Sequence, residues 1–203
     1  MARDHAHSHP HHDRRRSHLA LAVALTLGYA VVEAFGGWWS GSLALLADAG
    51  HMVTDGAALG LAALAAWAAR RPASERHSYG LGRVEIFAAL ANSLVMLTVV
   101  VLLAYEALRR FEQPVPVAGG VVSVVAALGL AVNLFVARLL SGGAHNLNTR
   151  GALLHVLGDI LGSVAALSAG LVIATTGWMP IDPLLSLFIA LLLVASSLRL
   201  LRD

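Results

Sequence analysis

The chain contains no cysteine and no lysine, and only 13% of its 203 residues are charged. The missing cysteines exclude a disulfide framework and a thiolate metal cluster, so any metal ligand has to be nitrogen or oxygen. The missing lysines make all fourteen basic residues arginine and leave a formal net charge of only +2, which argues against a nucleic-acid surface and for no nucleic-acid partner. An ordinary soluble domain is about 25% charged and at most about half apolar. Here 58% of residues are hydrophobic and the mean hydropathy is +0.73, the composition of an integral membrane protein.

A helix needs about 20 apolar residues to cross ~30 Å of hydrocarbon, and runs of that length recur along the chain. They lie near Leu19 to Trp38, Leu43 to Ala69, Val84 to Leu108, Val117 to Leu140, Ala152 to Thr175 and Leu184 to Leu201. The expected fold class is therefore all-α, a polytopic membrane protein with six transmembrane helices. Residues 1–17 precede the first run as a His/Arg-rich tail read as disordered, and residues 18–203 are expected to form the six-helix transmembrane domain. The tail shows no small-residue cleavage pattern, so it does not read as a signal peptide. Loops retained in the cytoplasm carry the excess positive charge. Arginines 3, 14, 15, 16, 70, 71, 76, 83, 138, 150, 199 and 202 fall on one side of the six-span layout and only Arg109 and Arg110 on the other. Both termini are expected in the cytoplasm, with Trp38, Trp39 and Trp178 at the outer interface.

Two phrases inside the apolar runs stand out. His51 is followed four positions later by Asp55, and His155 by Asp159. Four residues of helix turn through roughly 400° and rise about 6 Å, so each phrase sets an imidazole and a carboxylate on one face, one turn apart. An Asp at a helix centre costs about 2.5 to 3.5 kcal/mol on the insertion scale, which argues that a doubled pair is used. The second and fifth spans run in opposite directions, so both pairs reach similar depth near mid-membrane and antiparallel packing closes one site. Small residues around them, among them Gly50, Gly56, Gly158 and Gly162, permit close approach.

Two neutral imidazoles and two carboxylates suit a four-coordinate Zn²⁺ with bonds of about 2.0 to 2.2 Å. The two carboxylates cancel the metal charge. An empty site is expected to hold protons in the metal's place, which makes metal and proton mutually exclusive ligands and supplies the minimum machinery of antiport. Asp48, three residues before His51, is an accessory candidate, with a packing role the alternative. Glu33, Asn92 and Asn133 are single polar residues expected to hydrogen-bond within the bundle. His77, in the loop after the second span, is a further accessory candidate, with surface exposure the alternative.

The stretches SGSLALLADAGHMVTDGAALGL (residues 40–61), HSYGLGRVEIFAAL (77–90) and NTRGALLHVLGDILG (148–162) resemble the cation diffusion facilitator family, and within it the zinc-transporting branch. The resemblance implies a homodimeric, proton-coupled exporter working by alternating access, with Zn²⁺ bound as substrate by His51, Asp55, His155 and Asp159 and no prosthetic group. It implies a multi-pass protein of the bacterial inner membrane, with cadmium, cobalt or nickel left open as further substrates. Family members usually continue into a cytoplasmic ferredoxin-like domain, whereas this chain ends at Asp203; truncation and natural lack both remain open. An accessory loop site is expected to be absent or weak, since Leu81 and Ser74 stand where His and Asp can occur around His77. Two other classes stay in view: a zinc-dependent intramembrane hydrolase, disfavoured because four protein ligands leave no open position for water, and a non-transporting partner subunit, disfavoured by an intact ligand set.

Overall fold

The computed structural model describes residues 10–69, 83–141 and 147–200. They form six helices: α1 (Pro10–Ser40), α2 (Leu43–Ala69), α3 (Arg83–Glu112), α4 (Gly119–Ser141), α5 (Leu147–Thr176) and α6 (Ile181–Leu200). No strand occurs among the described residues. Each expected apolar run falls largely on one helix, so the all-α expectation holds. Among the described residues, four segments are long and apolar enough to cross a membrane: Ala20–Ser40, Leu90–Glu112, Gly119–Ser141 and His155–Thr176. In α2 the run is interrupted by Asp48, His51 and Asp55, and the apolar part described in α6, Ile181–Val194, is shorter.

The first described helix runs from Pro10, not from near Leu19, so residues 10–17 of the expected tail are helical. Proline is tolerated in the first turn, where its absent N–H would have no partner, and a helix can run on past the edge of the apolar segment because its backbone bonds are internal.

Helices α4 and α5 make the most extensive pairing, and α1 lies against α2 and α4. The α4–α5 crossing depends on two glycines: a Cβ at Gly119 would lie 2.7 Å from the Gly170 carbonyl oxygen, and one at Gly170 would lie 2.6 Å from the Ser123 amide nitrogen. Helix α2 packs on α3 and α6 as well as on α1 and α5, so the helix carrying His51 and Asp55 has neighbours on several sides.

One end of α2 is fastened by residues distant in sequence. Ser42 acts as its N-cap, accepting a hydrogen bond from the Leu45 amide (3.3 Å). The Ser42 hydroxyl in turn donates to Asp182 Oδ1 of α6 (2.6 Å). The Leu43 amide donates to Asp182 Oδ2 (2.7 Å) and the Ala44 amide to Oδ1 (3.3 Å). Asp182 is fully buried, and Arg110 Nη1 at the end of α3 lies 3.5 Å from its Oδ2 while donating to the Gly41 carbonyl. A carboxylate at the positive end of the helix dipole therefore satisfies orphan amides and meets a guanidinium. Asp182→Ala strands these donors together, and the expected loss is about 2–3 kcal/mol. A lower thermal transition of the detergent-solubilised chain, with a smaller drop for Asp182→Asn, is the corresponding observation; an unchanged transition refutes this role.

Candidate metal centre

Helical spacing puts His51 and Asp55 on one face of α2, and His155 and Asp159 on one face of α5. The structure brings the two faces together. Within α2, His51 Nδ1 lies 3.6 Å from Asp55 Oδ2, and within α5, His155 Nε2 lies 3.8 Å from Asp159 Oδ2. Between the helices, His51 Nε2 lies 3.7 Å from Asp159 Oδ1 and His155 Nδ1 lies 3.3 Å from Asp55 Oδ2. The imidazoles meet edge to face, with centroids 5.6 Å apart. The four side chains thus form a closed ring in which acid and imidazole alternate.

The donor set suits a small tetrahedral ion, to which each imidazole would give one nitrogen and each carboxylate one oxygen at about 2.0 to 2.2 Å. The ring contacts run through both nitrogens of each imidazole, so the side chains would have to turn to present one atom each to a shared ion. His51, Asp55 and His155 each offer one ligand atom within 4.8 Å of the others. Asp159 stands just outside that trio and closes the ring from its buried side. Its two oxygens and His51 Nδ1 are buried with no hydrogen-bond partner, so the donor set has unspent capacity for a cation.

Burial is graded along the site. Asp159 is 1% exposed and His51 13%, whereas Asp55 is 29% and His155 39% exposed. Asp55 and His155 lie nearer the Ala69 end of α2 and the Leu147 end of α5, so the site opens toward that side. Thr54, between the α2 ligands, returns its hydroxyl to the Gly50 carbonyl (2.8 Å) and leaves the ring to His51 and Asp55.

Of the accessory candidates, His77 lies outside the described residues. Asp48 is 1% exposed and stands apart from the ring, with Oδ1 against Gly162 of α5. The expectation of bundle hydrogen bonds holds for Asn133, whose amide donates to Ser163 Oγ across α4 and α5 (3.1 Å). Glu33 of α1 is fully buried and neither of its carboxyl oxygens meets a donor, but its carboxyl faces that of Asp48 on α2. A lone Glu in an apolar span was the available signal, but the sequence carries no sign that its neighbour would be another acid.

Residues 19–203 match the family described as the cation efflux transmembrane domain. The chain belongs to this family. The cation efflux domain here is similar to the zinc transporter ZitB of Escherichia coli (strain K12), 46% identical over 207 residues that cover 100% of this chain and 66% of the relative. It is also similar to the cadmium, cobalt and zinc/H(+)-K(+) antiporter of Bacillus subtilis (strain 168), 39% identical over 188 residues, 91% of this chain and 60% of the relative. The metal cation efflux system protein CzcD of Cupriavidus metallidurans is 39% identical over 205 residues, 97% of this chain and 65% of the relative. The chain thus spans slightly under two thirds of the length of these curated relatives. With the apolar spans, the family assignment makes it a multi-pass membrane protein.

In this cation efflux domain α2 comes close to α5 where Asp48 meets Gly162, since a Cβ at position 162 would lie 2.4 Å from Asp48 Oδ1. Gly162→Ala overpacks that contact, at an expected cost of about 1–3 kcal/mol. Gly158→Ala, on the same helix with nothing within 4 Å of its added carbon, gains up to about 1 kcal/mol from helix propensity. Thermal unfolding of the two variants separates these outcomes; equal transitions would show that the Asp48 contact does not set the helix spacing.

Proposed function

We propose that this domain exports Zn²⁺ from the cytoplasm in exchange for protons, by alternating access around His51, Asp55, His155 and Asp159. The observation that carries the proposal is the ring of two imidazoles and two carboxylates joining α2 to α5. Its donors, two imidazoles and two carboxylates, are the nitrogen and oxygen ligands that a tetrahedral Zn²⁺ takes. The relatives are named for zinc, cadmium and cobalt, so cadmium and cobalt are candidate further substrates. Those relatives are named as transporters and efflux proteins, which favours transport over hydrolysis.

Proton exchange follows from charge. Two carboxylates at bilayer depth are costly unless a cation accompanies them. Zn²⁺ supplies two charges when the ring is loaded, and protons on the ring supply them when it is empty. Ligands must shed protons to bind metal, so the two cargoes alternate on the same atoms. His51 and His155 coordinate and titrate; Asp55 and Asp159 coordinate and carry the compensating charge. The graded exposure supports entry from the side where Asp55 and His155 open, which the arginine distribution assigns to the cytoplasm. The reading takes the chain as six crossings with both termini cytoplasmic, in a bacterial inner membrane, acting as a homodimer.

Removing an outer-shell partner of a metal site commonly costs about 10- to 100-fold, so losing a ligand should cost at least about 100-fold here. Zinc flux into vesicles reconstituted with the full chain, driven by a pH gradient, should fall to background in Asp55→Ala and Asp159→Ala and stop when the gradient is collapsed. Undiminished flux in either variant overturns the ligand assignment; flux indifferent to the gradient overturns the exchange.

A further inference from the structure

The ring does not account for all the acid buried in the bundle. Glu33 of α1 and Asp48 of α2 are 0% and 1% exposed. Their carboxyls face each other closely enough for one to hydrogen-bond the other if it carries a proton, and both lie within electrostatic reach of Asp159. As carboxylates both are acceptors only, and no donor from the protein meets either Glu33 oxygen or Asp48 Oδ2. The nearest hydroxyl on the same face of α1, that of Tyr29 one turn before Glu33, donates instead to the Val125 carbonyl of α4. Asp48 Oδ1 rests against Gly162, where no side chain intervenes.

Buried acceptors without donors need a positive partner. One divalent ion cancels both charges at once and finds up to four carboxylate oxygens between the two side chains. Asp48 precedes His51 by three residues, a rise of about 4.5 Å, so an ion held there would sit roughly one helical turn from the ring, toward the Leu43 end of α2. We propose that Glu33 and Asp48 form a second, all-oxygen divalent-cation site adjoining the ring, which holds the transported metal on its way between the ring and the Leu43 end. This rests on the metal-transport reading given above and adds a station to it.

Cadmium NMR of the full chain in lipid nanodiscs, loaded with Cd²⁺, tests the proposal. Two slowly exchanging signals are expected from the bundle: one with nitrogen and oxygen ligands, abolished by His155→Ala, and one with oxygen ligands alone, abolished by Glu33→Gln with a loss of about one bound equivalent. The Glu33→Gln change is nearly isosteric; should that variant fail to fold, Asp48→Asn reads out the same signal. An oxygen-only signal that is missing from the unaltered chain, or that survives both substitutions, overturns the second site. So does an unchanged metal count in Glu33→Gln accompanied by fewer protons released on loading, which would identify the pair's occupant as a proton. If His155→Ala leaves the spectrum unaltered while Glu33→Gln removes a signal, the ring assignment fails and the second site stands.

Discussion

Carboxylates are expensive away from water, and the interior of this bundle gathers several of them. Asp159, Asp48 and Glu33 are almost completely buried, on three different helices, with oxygens that meet no donor. Each uncompensated charge in such a setting costs several kcal/mol, a large share of the total stability of a small domain. An apolar bundle of this kind holds together only if cations accompany its acids. That need is the physical basis of the metal binding proposed above, and the packing of α1, α2 and α5 brings the acids near one another.

Asp182 shows the contrasting solution. It is as buried as Glu33, but two backbone amides, a serine hydroxyl and a guanidinium surround it. Its charge is spent on fixing the start of α2 against α3 and α6. One acid is thus satisfied by the protein itself, whereas those near the ring meet no donor. The satisfied acid builds structure, and under the function proposed above the unsatisfied ones meet the cargo.

Hydropathy was enough to expect six helices, because apolar length is a property of the chain taken in order. The ring was legible for a similar reason. His51 with Asp55 and His155 with Asp159 repeat one helical spacing, and opposite helix directions bring the repeats to one depth. What sequence could not convey was azimuth and long-range partnership. Asp48 sits three residues from His51, yet it faces Glu33 and Gly162 in place of the ring, a distinction of rotation that depends on how α1 and α5 pack. Glu33 reads as an isolated polar residue until its partner on another helix is seen. The capping of α2 by Asp182 joins residues about 140 positions apart, and no local pattern at Ser42 announces it. The early start of α1 at Pro10 escaped for the opposite reason: an apolar window marks what lies in lipid, and a helix can continue beyond it.

The fastening at Ser42 and Leu43 gives α2 mechanical leverage. Held at one end, the helix can move chiefly by tilting about that point, and displacement grows with distance from it. A tilt of about 5° shifts His51, eight residues along, by about 1 Å, and Ala69 by more than about 3 Å. One ångström is enough to break a coordination bond of about 2 Å, while three leave most helix contacts only rearranged. For the proposed metal cargo, a small rotation of this kind would open the ring before it noticeably reshaped the protein, with the largest travel at the far end of α2.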